Sequence, residues 1–127
     1  MRVLVTNDDG IYAEGLWSLA RAMTGVGEVW VVAPDRQQSG VGTSVTLHSP
    51  VRAYLVTSHV DGVRAYCVEG TPSDCVILAI ESLVGVVDLV VSGINEGANL
   101  GNDTLISGTV AGALQGHFYN IPSIAIS

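Results

Sequence analysis

The most constraining feature of this sequence is a pair of short apolar runs in which hydrophobic and polar residues do not alternate. Val3–Thr6 is the first run and Val29–Ala33 is the second. Strands of this kind are buried on both faces, as in a parallel sheet covered by helices. The segment between them repeats apolar residues at spacings of three and four, which predicts one face of a helix. These residues are Tyr12, Leu16, Leu19, Ala20 and Met23. The chain therefore begins with a strand–helix–strand unit of an α/β fold.

The middle of the chain predicts a hairpin that departs from the parallel pattern. Val51–Val56 and Val63–Val68 have strand-like composition, and Asp61-Gly62 between them is a common hairpin bend. Thr71-Pro72-Ser73-Asp74 then has the residues of a helix start, with a capping threonine, a proline in the first turn and a capping-box acid. Cys75, Val76, Ala79, Ile80 and Leu83 follow as the predicted buried stripe.

The last third of the chain predicts strand, loop, helix and strand. Val86–Val91 and Ile121–Ile126 are the predicted strands, and a helix opens at Ser107-Gly108-Thr109. Val110, Leu114 and Phe118 share one face of this helix, while glycines recur at 108, 112 and 116. Because each glycine weakens a helix by about 1 kcal/mol relative to alanine, we expect them to permit close packing on the sheet.

Composition restricts the function classes. A chain of 127 residues forms one domain, residues 1–127. The net charge is −7, with five arginines and no lysine, which argues against a nucleic-acid polymer as partner. No apolar run is long enough to span a membrane, and the first residues are too short a run for a signal peptide, so we expect a cytoplasmic protein. Cys67 and Cys75 fit no metal-ligand spacing and are predicted to be buried thiols.

Three polar loops follow the predicted parallel strands: Asn7-Asp8-Asp9, Asp35–Ser44 and Ser92–Asn99. The carboxyl ends of parallel strands share one edge of a sheet, where ligands bind, so these loops should converge. Their carboxylate, hydroxyl and amide oxygens suit magnesium, manganese or calcium. A cation would also offset the repulsion between the adjacent Asp8 and Asp9 carboxylates. The alternative is that the two acids form a turn and cap the following helix.

The helix start at Ser107-Gly108-Thr109 is a candidate anion site, because free backbone N–H groups and the helix dipole favour a phosphate there. An ordinary N-cap is the alternative. A metal beside a phosphate site indicates phosphoryl chemistry, in which Asp8 or Asp9 orients a water or accepts its proton.

Five segments in this order resemble the SurE family of stationary-phase survival proteins, and they cover nearly the whole chain. They are Val3–Ile11, Val32–Gly40, Gly70–Val76, Val91–Gly101 and Ser107–Val110. The resemblance implies a Rossmann-like three-layer sandwich with a mainly parallel sheet, and a metal-dependent 5′(3′)-nucleotidase that hydrolyses nucleoside monophosphates.

The resemblance also implies site residues. By motif, the family's metal ligands fall on Asp8, Asp9, Ser39 and Asn95, with one divalent cation, Mg²⁺ or Mn²⁺, per subunit. The implied phosphate contacts are Asn7, Gly40, Asn99, Ser107, Gly108 and Thr109. Family chains run to about twice this length, and their second half serves dimer and tetramer formation and encloses the substrate.

Two other readings compete with a nucleotidase. A signalling receiver domain or a haloacid-dehalogenase phosphatase needs a lysine beside the phosphoryl group, and this chain has none. A short nucleotide- and metal-binding module with impaired catalysis is the alternative that stays open.

Overall fold

The structure, a computed structural model, describes residues 1–37, 45, 50–95 and 108–127. In chain order the elements are β1 (Arg2–Thr6), α1 (Glu14–Met23), β2 (Glu28–Pro34), β3 (Ala53–Val56), β4 (Arg64–Val68), α2 (Pro72–Leu78), a π-helical segment (Ala79–Leu83), β5 (Leu89–Ser92), α3 (Gly108–Phe118) and β6 (Ser123–Ala125). No helix among these residues has the length and apolar character needed to cross a bilayer.

The six strands form one sheet in the order β3-β4-β2-β1-β5-β6. All neighbouring pairs are parallel except β3 and β4, which form the predicted antiparallel hairpin. The chain passes from β1 to β2 on one side and later returns to β5 on the other side of β1. The strand order therefore reverses between β1 and β5, and this reversal decides where the carboxyl-end loops separate.

Helices cover both faces of the sheet, which confirms the predicted three-layer α/β arrangement. Leu16, Trp17 and Ala20 of α1 belong to one buried cluster with Val3 and Val5 of β1. The opposite face has its own cluster, which joins residues of α2 and the π-helical segment to alternate residues of the strands. Its members include Leu4, Val32, Cys75, Val76, Ala79 and Val90. Each central strand thus buries side chains on both faces, as an unalternating apolar run predicts.

The local signals of the middle segment are also confirmed. Thr71 Oγ1 accepts a hydrogen bond of 3.1 Å from the Asp74 backbone N–H, and Asp74 Oδ2 accepts one of 2.9 Å from the Thr71 N–H. This is a complete capping box. Cys67 and Cys75 are buried free thiols, and burial raises the pKa of the Cys75 thiol well above its usual value.

Helix α3 packs on β5 and β6 through its glycines, as expected. A Cβ at Gly112 would lie 2.9 Å from Ser92 Oγ, and one at Gly116 would lie 2.8 Å from Val90 Cγ2. The apolar face that the spacing indicated is the outer one, since Leu114 is 38% exposed and Phe118 is 64% exposed. The glycine face is buried because it alone allows the helix backbone to approach the strands this closely.

Two sequence predictions are wrong at element boundaries. Tyr12 was expected on the buried face of α1, but the helix begins at Glu14 and Tyr12 lies in the preceding turn, 78% exposed. Gly10 at φ +108° and the extended Ala13 hold this turn outside the helix. Val86 is 76% exposed because β5 begins at Leu89, its first partner in the register with β1.

We predict that Gly116→Ala destabilises the fold although alanine is the better helix former. The new methyl group meets Val90 and Ser123 in a packed interface. Overpacking costs about 1–3 kcal/mol, against a gain in helix propensity of about 1 kcal/mol. Urea unfolding measures the difference. Gly25→Ala is the matched control, because its nearest atom is Ala22 O at 3.6 Å; equal stability of the two variants would contradict the packing argument.

Candidate metal and phosphate site

The candidate site lies at the carboxyl ends of β1 and β5, where the strand order reverses. Thr6 and Ser92 are register partners at the ends of these parallel strands. Asn7, Asp8 and Asp9 follow the first strand directly, and Asn95 lies three residues beyond the second. In open α/β sheets the crevice at such a reversal is the usual place for a ligand. The fold therefore brings these two predicted loops together, and Gln37 of the third loop lines the same cavity as Asp9 and Asn95.

The Asn7 side chain shapes the turn that carries the acids. Asn7 is fully buried, its Oδ1 accepts a hydrogen bond of 3.1 Å from the Gly10 N–H, and its Nδ2 donates to the Gly10 carbonyl at 3.0 Å. The Ile11 N–H then donates to the Pro34 carbonyl at 2.8 Å, which ties the turn to the end of β2. Asn7 thus closes the loop on itself and holds the backbone of both aspartates.

Asp8 faces the amino end of α3. Its side chain is 4% exposed, and its Oδ1 accepts a hydrogen bond of 2.9 Å from the Thr109 hydroxyl. A Cβ at Gly108 would lie 2.5 Å from Asp8 Cβ and 3.1 Å from Pro72 Cγ. Only a glycine at the first residue of α3 leaves room for the Asp8 side chain. Pro72, the first residue of α2, lies on the other side of Gly108.

The surroundings of Asp8 fit a divalent cation. A buried carboxylate is costly unless it is paired or hydrogen-bonded. In the part of the chain that the structure describes, which includes all five arginines, the arginine–carboxylate pairs are Arg2–Glu28 and Arg36–Asp35, and neither reaches Asp8. One neutral hydroxyl is a weak substitute for a positive charge. The donor set at this edge, two carboxylates and one amide, is the hard-oxygen chemistry that Mg²⁺ and Mn²⁺ take.

Asp9 and Asn95 line a common cavity of about 630 Å³ on the α1 side of the crevice. The Asn95 N–H donates to the Ile126 carbonyl at 3.1 Å, which fixes this residue beside the end of the sheet. The loop also lies close against α1, since a Cβ at Gly15 would be 2.5 Å from the Ile94 carbonyl oxygen. The cavity will be called the Asp9–Asn95 cavity.

Six of the predicted site residues are described, and four are not. Asn7, Asp8, Asp9, Asn95, Gly108 and Thr109 lie around this edge of the sheet. Ser39, Gly40, Asn99 and Ser107 lie outside the described residues. Among the residues that are described, no three His, Cys, Asp or Glu side chains form a metal-binding group. The predicted ligand set has two such side chains, Asp8 and Asp9, and takes its other oxygens from Ser39 and Asn95.

Sequence reasoning missed Gly15 and Gln37, which also line the Asp9–Asn95 cavity. Gly15 lies in the first turn of α1, where an isolated glycine has no clear local signal. Gln37 lies within the loop that was expected to reach the site, but nothing in its neighbours distinguished it from Gln38.

Comparison with known proteins identifies the family of this chain. The family model for Survival protein SurE matches residues 3–127. A protein named 5'-nucleotidase SurE from Dehalococcoides mccartyi (strain CBDB1) is 61% identical over 128 residues, which covers the whole of this chain and 48% of that protein. Its namesake from Geotalea daltonii is 52% identical over 128 residues, again the whole chain and 50% of that protein.

A solved structure agrees as well. The crystal structure of the SurE protein from Aquifex aeolicus has a TM-score of 0.85 and 43% sequence identity, and the match covers 98% of this chain and 50% of that one. The chain spans about half the length of the curated relatives it matches. Since the family model covers nearly every residue, the chain belongs to the SurE family.

Proposed function

We propose that this chain carries the catalytic core of a divalent-metal-dependent phosphomonoesterase that hydrolyses nucleoside 5′- and 3′-monophosphates to nucleoside and phosphate. The relatives named 5'-nucleotidase support the 5′ activity. The 3′ activity, the metal dependence, a cytoplasmic location and a homodimer or tetramer are what the family resemblance implies, and they remain predictions.

One observation carries the proposal: Asp8, buried at the end of β1, meets the first turn of α3 through Thr109. This arrangement sets acidic oxygens beside the amino end of an eleven-residue helix. Its first backbone N–H groups have no acceptor within the helix, and the dipole there favours an anion. Cation ligands on one side and anion donors on the other suit a phosphate ester between them.

Asp8, Asp9 and Asn95 would hold the cation, together with Ser39, which lies outside the described residues. When bound, a divalent cation offsets the charge of phosphoryl oxygens and makes a water molecule more acidic. Of the two acids, Asp9 lines an open cavity, whereas Asp8 is buried. Asp9 is therefore the better placed of the two to meet solvent and to accept a proton from an attacking water.

Thr109 has a positioning role in this scheme. A hydroxyl carries one proton, and that of Thr109 is donated to Asp8. The residue therefore offers a phosphate its backbone N–H rather than its side chain, while the hydroxyl fixes the Asp8 carboxylate. Gly108 has no side chain, so the first residue of α3 can approach the Asp8 side chain closely.

A nucleotide- and metal-binding module with impaired catalysis is the second candidate. Phosphate release from AMP and from p-nitrophenyl phosphate with added manganese separates the two. Release from either ester supports the enzyme, and binding of AMP without release supports the module.

We predict that Asp8→Asn abolishes both manganese binding and turnover while the fold survives. The amide removes the negative charge but keeps the size of the buried side chain. Titration calorimetry with manganese and phosphate release from AMP measure the two losses, and circular dichroism checks the fold. Metal-dependent activity retained in this variant would contradict the assignment.

We also predict that Thr109→Val lowers both stability and turnover, whereas Thr109→Ser retains most of each. Valine matches threonine in shape but leaves the buried Asp8 carboxylate without its hydroxyl donor. Loss of such a donor costs about 1–3 kcal/mol. Urea unfolding and phosphate release from AMP are the measurements, and a valine variant that equals the serine variant in both would show that the hydrogen bond is unimportant.

A further inference from the structure

A second cavity lies beside the Asp9–Asn95 cavity, on the outer face of α1. Its lining residues are Tyr12, Glu14, Trp17, Ser18, Arg21 and His59, and its volume is about 430 Å³. Both cavities fall in the range of about 300–1,000 Å³ that small-molecule sites occupy. Glu14 and Ser18 line both of them. The second cavity, called the Tyr12–His59 cavity below, therefore adjoins the Asp9–Asn95 cavity.

Glu14 and Ser18 form an exposed ridge between the two cavities. The residues are four apart on α1, so they lie on the same face of the helix and about 6 Å apart along its axis. A ligand held at Asp9 by one end can cross this ridge and place its other end in the second cavity. A nucleoside monophosphate has this two-part shape, with a charged phosphate at one end and a flat base at the other.

The walls of the Tyr12–His59 cavity supply flat aromatic surfaces. The Trp17 and His59 rings are stacked, with centroids 4.4 Å apart and planes within 19°. Trp17 is buried, and its indole N–H donates to the Ile11 carbonyl at 2.7 Å. The indole ring is therefore held in place and supports one face of the exposed His59 ring. Tyr12 is 78% exposed at the same cavity. Exposed aromatic rings of this kind are the usual stacking partners of nucleobases.

The polar groups suit the sugar rather than the phosphate. Glu14 is an acid, which repels a phosphate but accepts hydrogen bonds from ribose hydroxyls, a role that acidic side chains have in dinucleotide-binding folds. The Ser18 hydroxyl can donate or accept beside it. Arg21, about one turn from Ser18 on α1, also lines the cavity, and its guanidinium can donate to the edge of a base or stack on it.

We infer that the Tyr12–His59 cavity is the nucleoside subsite of this protein: the base stacks against the Tyr12 and His59 rings, and the sugar lies along Glu14 and Ser18. The inference rests on the proposed function, since the phosphate is assigned to the Asp9–Asn95 end. It assigns a role to Tyr12, whose exposure is otherwise unexplained by the packing of the fold.

The test compares a substrate that has a nucleoside with one that lacks it. AMP and p-nitrophenyl phosphate are assayed with manganese for the wild-type protein, Tyr12→Ala, Tyr12→Phe and Glu14→Gln. Base stacking on an aromatic side chain contributes enough for its removal to weaken binding about tenfold. We expect the ratio of kcat/KM for AMP to that for p-nitrophenyl phosphate to fall about tenfold in Tyr12→Ala, mainly through KM for AMP.

The conservative variant and a distant control complete the design. Tyr12→Phe keeps the ring and should restore the ratio, and Glu14→Gln should lower it through the sugar. Phe118→Ala removes an exposed ring at the end of α3, 64% exposed against 78% for Tyr12, and should leave the ratio unchanged. A Tyr12→Ala variant in which both substrates change in parallel, or neither changes, would overturn the subsite.

A binding measurement separates this inference from the proposed activity. Adenosine, which has no phosphate, is titrated into the protein while NMR follows the Trp17 indole N–H and the ring protons of Tyr12 and His59. Saturating shifts at these residues, lost in Tyr12→Ala, support the subsite even if neither ester is hydrolysed. Absence of shifts at millimolar adenosine overturns it, whatever the phosphatase assay gives.

Discussion

The close approach of α3 to the ends of β1 and β5 is the constraint on which the rest of the site depends. Gly112 and Gly116 present bare backbone to the sheet and Gly108 presents it to the Asp8 side chain, so the helix axis lies nearer the strands than side chains would allow. Through this approach the first turn of α3 reaches a carboxylate that follows β1. The glycines lower the helix propensity of α3, but they allow its amino end to lie beside Asp8.

The second constraint is the shortage of basic side chains. With no lysine and five arginines, the protein has few side chains that could neutralise acids at the sheet edge. The arginine–carboxylate pairs among the described residues lie elsewhere, at Arg2–Glu28 and Arg36–Asp35. A carboxylate as buried as Asp8 needs a compensating partner, and the proposed cation would be that partner. The sheet supplies the position, and a bound ion would supply the charge.

Most of the fold could be predicted from the sequence, because apolar runs and capping residues act locally. The runs gave the parallel strands, and Thr71 with Asp74 gave the start of α2. The buried face of α3 could not be read from apolarity, because Leu114 and Phe118 are outward and glycines are inward. The hydrogen bond between Asp8 and Thr109, which are 101 residues apart, could not be predicted from the sequence either. Pairings at that separation are decided by packing, which a pattern of residue types does not encode.

The bracing of the turn by Asn7 has a consequence for how this scaffold can change. Because the Asn7 amide closes the turn through two hydrogen bonds to the Gly10 backbone, these bonds hold the path of the chain without using the carboxylates that it carries. Position 8 must also fit between Gly108, Pro72 and the Thr109 hydroxyl, whereas position 9 lines an open cavity. Ligand preference could therefore be redesigned at position 9 with the turn and the sheet beneath it retained.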